Sequence, residues 1–174
     1  LDRKVSKRDY KEQMDALEIR AGQLQRTCRK LGIPIIVVFE GWDAAGKGTL
    51  INQLILPLDP RGFTVHTTLK PNEEEALRPF LWRFWNRTPQ RGRIAVFDRS
   101  WYRRVLQDRF DGTVGEKDLP GAFQDIRCFE RTLADAGFVL VKLFLHIDKK
   151  TQKKRFDKLR KHKTTAWRVT DADL

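Results

Sequence analysis

The sequence predicts a single α/β domain of three layers, a parallel sheet with helices on both faces. Three observations predict it. Short apolar runs rich in β-branched residues alternate with segments of helical periodicity, so crossover helices join the strands. At least one run is near-continuous rather than alternating, as in a strand covered on both faces. The 174 residues suit one domain with a real core, and neither an internal repeat nor a low-complexity linker divides them.

The elements follow in order. Tyr10, Met14, Leu17, Ala21, Leu24, Cys28 and Leu31 recur at spacings of four and three, so residues 1–31 carry an N-terminal amphipathic helix with a narrow apolar stripe. The stripe is expected to pack on its own domain. A contact between two such helices stays open, and a homo-oligomer is expected. "IPIIVVFE", 33–40, reads as a buried parallel strand, followed by a glycine-rich loop and a helix over 47–56. "FTVHTTL", 63–69, is a second strand. Residues 72–86 read as helical, with Asn72 as cap, acids in the first turn and Pro79 dividing the segment. "RIAVFD", 93–98, is a third strand, and "RSWYRRVLQDRF" reads as a helix after it. A helix over 119–135, a strand over 138–147 and a basic helical segment over 149–163 complete the pattern.

Composition narrows the function. Forty per cent apolar and 33% charged residues are globular proportions, not those of a disordered chain. Lys and Arg outnumber Asp and Glu by 35 to 23, a net charge of +12 that favours a polyanionic partner. No apolar run is long enough to span a membrane, and "LDRKVSKRDY" is too charged for a secretory signal. Cys28 and Cys128 lack metal-ligand spacing, and Cys28 falls in the helical stripe as a buried thiol, so the cytoplasm is the expected compartment. The chain opens on Leu1, its only methionine is Met14, and it stops at "RVTDADL", which points to trimming at both ends.

The chemistry concentrates in "GWDAAGKGTL", 41–50. Gly41, four residues, Gly46 and Lys47 have phosphate-loop spacing between a strand and a helix. Backbone N–H groups of Gly41, Ala44, Ala45, Gly46, Lys47, Gly48 and Thr49 are candidates to cradle phosphate oxygens, with the helix N-terminus adding a favourable dipole. Lys47 supplies a mobile charge. Ser or Thr normally follows this lysine and ligates magnesium, but here Gly48 follows, with Thr49 one place later. An acid, Asp43, stands inside the loop. Unscreened, a carboxylate about 4 Å from a phosphate charge costs roughly 4 kcal/mol at an effective dielectric near 20. A divalent cation between them reverses the sign, so Asp43 is read as a magnesium ligand in place of the missing hydroxyl.

Asp98 ends the third strand and is expected at the carboxyl edge of the sheet, in a Walker-B-like position beside the loop. It is the second candidate metal ligand. Arg99, Arg103 and Arg104 follow it, and arginine both binds phosphate bidentately and spreads transition-state charge.

"GWDAAGKG" together with "FDRSWY" resembles the polyphosphate kinase 2 family, P-loop enzymes that move phosphoryl groups between inorganic polyphosphate and nucleotides. The resemblance runs from the first strand to the basic segment. It implies a P-loop kinase-like fold with a basic helical lid, Mg2+ as cofactor, and a purine nucleotide, AMP or ADP, as second substrate. "LKPNEEE" is similar to the family segment that picks out Lys70, and "KKRFDKL" to the start of its lid, which picks out Arg155. Asp43, Lys47, Asp98, Arg99 and Arg104 fall on the family's functional positions. Arg103 departs from the family, which usually has Asn or Gly there. "RPFLWRFWNRTPQRG" most resembles the members acting on AMP. Family chains continue past residue 174 through the rest of the lid and a further strand, so residues 149–174 are expected to be a truncated lid.

Residues 149–163 hold nine Lys or Arg against one acid, Asp157, which suits a cationic wall for a long polyanion as well as a solvated helix. Nucleic acid competes as a partner but is disfavoured, because no nucleic-acid module is recognisable and the phosphate loop would go unexplained. An ATP-dependent kinase on the same fold and a non-catalytic polyanion-binding domain are the two rival readings.

Overall fold

The structure is a computed structural model and describes residues 5–161, 163, 164, 166 and 169. Its centre is a four-stranded, all-parallel sheet in the order β2-β3-β1-β4, formed by β1 (Ile35–Gly41), β2 (Phe63–Thr67), β3 (Ile94–Asp98) and β4 (Val139–Leu145). From β1 the chain leaves toward β2 on one side; from β3 it leaves toward β4 on the other. The strand order therefore reverses between β1 and β3, and a crevice opens there at their carboxyl ends.

Alternate residues of the central strands feed two cores. Ile36, Val38, Ala95 and Phe97 face Phe84, Trp101 and the long helix α6 (Leu119–Asp135). Val37, Phe39, Ile94 and Val96 face α2 (Lys47–Ile55) and Ala21 of α1 (Lys7–Leu31). These are the three layers expected. Among the described residues, no helix is long and apolar enough to cross a membrane.

Asn72 caps α3 (Glu73–Ala76) in a reciprocal capping box with Glu75, and Pro79 separates it from α4 (Trp82–Trp85). The segment after β3 differs from expectation. Instead of one helix, a 3-10 turn (Trp101–Arg104) precedes a four-residue helix, α5 (Gln107–Phe110). Arg99 lies in the left-handed region at φ 60°, and Ser100 caps the 3-10 turn through Tyr102 N–H, so the chain turns before any helix begins.

α1 also differs in detail. Its packed face centres on Gly22 and Gln25, with Met14, Ala21 and Cys28 half-buried, while Tyr10, Leu17, Leu24 and Leu31 stay exposed. Gly22 allows close approach, since a Cβ there would lie 3.2 Å from the Pro57 carbonyl. Gln25 is buried because its amide both donates to the Asp59 carbonyl (3.0 Å) and accepts from the Asp59 N–H (2.7 Å). Both cysteines are free, with Cys128 exposed. The basic segment forms α7 (Lys149–Lys161); the expected lid from 149 to 174 otherwise lies mostly outside the described residues.

Candidate active site

The phosphate loop leaves β1 at Gly41, which pairs with Leu145 of β4. Gly41 has φ 130°, and a Cβ on it would sit 2.2 Å from the Leu145 carbonyl oxygen. Only glycine fits there. Ala44 (φ 58°) and Gly46 (φ 103°) carry the chain through two further left-handed turns into α2. Gly48 and Thr49 lie exposed in the first turn of that helix.

Lys47 is buried and folds back along the loop. Its ammonium donates to the carbonyls of Gly41 (2.9 Å) and Trp42 (3.0 Å) and lies 3.6 Å from Asp43 Oδ1. Burial pushes this ammonium below the ordinary lysine range, and Asp43 opposes the shift. Arg99, coming from the end of β3, donates through Nη2 to the same Asp43 carboxylate. One acid thus collects two of the cations that the sequence placed in the site, Lys47 and Arg99. Asp98 adds its field at Lys47 from the end of β3.

Asp43 and Arg99 border a cleft of about 430 Å³, which Arg109 and Glu116 also line together with the apolar Trp42, Leu106, Phe110 and Phe144. A cleft that offers both charged and apolar side chains suits a ligand that is part phosphate and part ring. Trp42 is half-exposed there, and its indole N–H donates to His146 Nδ1 (2.9 Å). Trp101, in contrast, is 1% exposed and packs edge-on against Phe84, Phe97 and Phe129 as a core residue.

Other expected residues are spread more widely. Arg104 lies over the Phe80 ring at 5.4 Å and lines a second, open cleft with Lys117, Asp118 and Asp125. Lys70 is 81% exposed, 3.9 Å from Asp111, and lines neither cleft. Arg103 is buried and ion-paired with Asp108 at 3.0 Å. Arg155 of α7 donates to the carbonyls of Ala44 and Ala45 (2.9 Å each), and Gln152 donates to that of Asp43 (3.0 Å). The basic helix therefore grips the loop's backbone oxygens.

Sequence reasoning missed Glu40. Its side chain is buried between the ends of β1 and β3 and accepts from both the N–H and the hydroxyl of Ser100, at 2.7 Å each. Burial pushes its carboxyl above the ordinary range, against those two hydrogen bonds and the nearby Lys47 and Arg99. The available signal was a charged residue closing an otherwise apolar buried strand.

Asp43 and Asp98 supply the carboxylate chemistry magnesium takes when substrate phosphates complete its shell, and a cation at Asp43 would replace the charge that Arg99 and Lys47 now provide. Among the described residues, no group of three or more His, Cys, Asp or Glu side chains gathers as a metal site.

Comparison with known proteins gives the family. Residues 4–174 match the family profile described as polyphosphate kinase 2. Two relatives named polyphosphate:AMP phosphotransferase, from Pseudomonas syringae pv. tomato and Pseudomonas aeruginosa, are 40% identical over 169 residues, which is 97% of this chain and 34% of each relative. The chain thus spans about a third of the length of these curated relatives. A Pseudomonas aeruginosa crystal structure described as polyphosphate kinase 2 superposes with a TM-score of 0.94 at 40% identity, covering 99% of this chain and 38% of that one. The chain belongs to the polyphosphate kinase 2 family.

Proposed function

We propose that this chain transfers a phosphoryl group between inorganic polyphosphate and a purine nucleotide, with AMP to ADP as the favoured reaction and magnesium as cofactor. The observation that carries the reading is the meeting of Lys47, Arg99 and Asp43 on one phosphate loop at the crevice between β1 and β3. The relatives named polyphosphate:AMP phosphotransferase supply the substrate class.

The loop amides and Lys47 hold the reacting end of the polyphosphate. Arg99 neutralises charge on the transferred group, since phosphoryl transfer needs positioning and charge neutralisation more than covalent help. Asp43 and Asp98 would hold the magnesium, which supplies further neutralisation when bound. A nucleotide phosphate is already anionic near neutral pH, so no general base is required. Trp42, Leu106, Phe110 and Phe144 offer the apolar wall for the base. Lys70 and Arg104 act at longer range on the polyanion, and Arg155 acts through the loop it grips.

The test is chromatography of nucleotide products with magnesium and long-chain polyphosphate, with AMP or ADP in separate tubes and no ATP. ADP from AMP is expected. ATP formed only from ADP would move the acceptor and keep the donor; activity seen only with ATP as donor would overturn the polyphosphate reading. In the same assay Asp98→Asn is expected to lower turnover by about 10³-fold or more with thermal unfolding unchanged. A near-normal rate would remove Asp98 from the metal site.

A further inference from the structure

We infer that Glu40 is a positioning residue for Arg99, acting through Ser100. β1 and β3 run in register up to the pair Phe39–Asp98, and the Arg99 N–H still donates to the Phe39 carbonyl (3.0 Å). Beyond that point the two chains part, one into the phosphate loop and the other toward the 3-10 turn. The Glu40 side chain crosses the gap. Its Oε1 takes both donors of Ser100, the amide and the hydroxyl, and Ser100 Oγ in turn accepts from the Tyr102 N–H at 3.3 Å.

Arg99 is held between these two fixings, the Phe39 carbonyl before it and the Glu40 carboxylate after it. Its φ of 60° is a conformation that a residue with a Cβ keeps only when its surroundings over-determine it. The turn carries the chain away from the strand direction as the guanidinium reaches Asp43 in the loop. Ser100 is wholly buried and Glu40 is 8% exposed, so water does not compete for these bonds. No other described hydrogen bond holds the Ser100 amide. Removing the carboxylate leaves a buried donor unpaired, and the cheapest relief is for Arg99 to abandon the left-handed turn.

The kinetic arm of the test rests on the polyphosphate–nucleotide reading; the structural arm does not. Glu40→Ala, Glu40→Gln and Ser100→Ala are measured alone and combined with Arg99→Ala in polyphosphate-dependent phosphorylation of AMP. Glu40→Ala is expected to lower kcat about 100-fold, the scale of a displaced reacting group, with both KM values within about threefold. Glu40→Gln keeps an acceptor oxygen and is expected to stay within about fivefold of wild type, with Ser100→Ala losing about tenfold. In the Arg99→Ala background, Glu40→Ala is expected to add no more than about twofold. A wild-type kcat in Glu40→Ala, or an equal loss with and without Arg99, overturns the inference. The second arm is the crystal structure of Glu40→Ala, or of Ser100→Ala should the former not fold. Arg99 is expected to leave φ near 60° and to lose its Asp43 contact; an unmoved Arg99 overturns the inference whether or not polyphosphate is a substrate.

Discussion

β1 and β4 lie side by side in register over seven residues, and each is a mostly apolar run, "IIVVFEG" against "VLVKLFL". β1 buries its five central residues; β4 fully buries none, and Val139, Val141, Leu143 and Phe144 are exposed. The difference lies in neighbours rather than hydropathy. β1 has a strand on each side and a core on each face, whereas β4 has one paired strand and reaches the cores only through Leu140 and Leu145. The candidate site grows from the first kind of strand. Its charged groups stand at the ends of β1 and β3, where packing fixes the backbone closely enough to hold Glu40, Lys47 and two left-handed non-glycine residues.

The sharpest way to break this contrast is at Gly41, where β1 runs into the loop against β4. Gly41→Ala would drive a Cβ into the Leu145 backbone and is expected to destabilise the fold by about 4 kcal/mol or more in urea unfolding. A loss below about 1 kcal/mol would mean that β4 yields freely to β1. Next, truncations on the two strands should diverge. Ile36→Ala, fully buried, is expected to cost about 3 kcal/mol. Val141→Ala, on the exposed strand, is expected to cost less than about 1 kcal/mol. Equal costs would show that β4 is covered in solution.

The smallest effect concerns the fastening of α1 on the β1 side. The hydrogen bonds from the Arg61 guanidinium and N–H hold the Asp59 carboxyl at about 2. A depressed carboxylate contributes stability above its unfolded value and loses that contribution as pH falls from about 4 through about 2. Asp59 is only partly covered and its partner Arg61 is exposed, so the effect is small, and Asp59→Asn should flatten that part of the stability–pH curve. An unchanged curve would remove the ion pair from the account.

Much of this was legible in the sequence. α6 matches its expected bounds because its apolar spacing is regular and Pro120 marks its start. The break at Pro79 and the cap at Asn72 were legible for equally local reasons. The phosphate loop was legible because backbone geometry dictates its glycines. What was not legible depends on partners far along the chain. "RSWYRRVLQDRF" has helical composition, but its first residues answer to Glu40, 60 residues earlier. Gln25 reads as a surface residue until Asp59, 34 residues later, supplies both its hydrogen bonds. Arg155 and Arg104 were expected to converge with Arg99, yet one holds loop carbonyls and the other lies over Phe80, because charge alone carries no direction.

The grip of α7 on the loop also orders events in time. Gln152 and Arg155 reach loop carbonyls 109 to 111 positions earlier in the chain. At ribosomal speeds of about 5–20 residues per second, the loop waits roughly 5–20 s between its own synthesis and that of its last anchors. During that interval the nascent chain carries the loop without the Gln152 and Arg155 hydrogen bonds that hold its carbonyls in the folded protein, so the glycine-rich turn and its strand are made well before the helix that braces them.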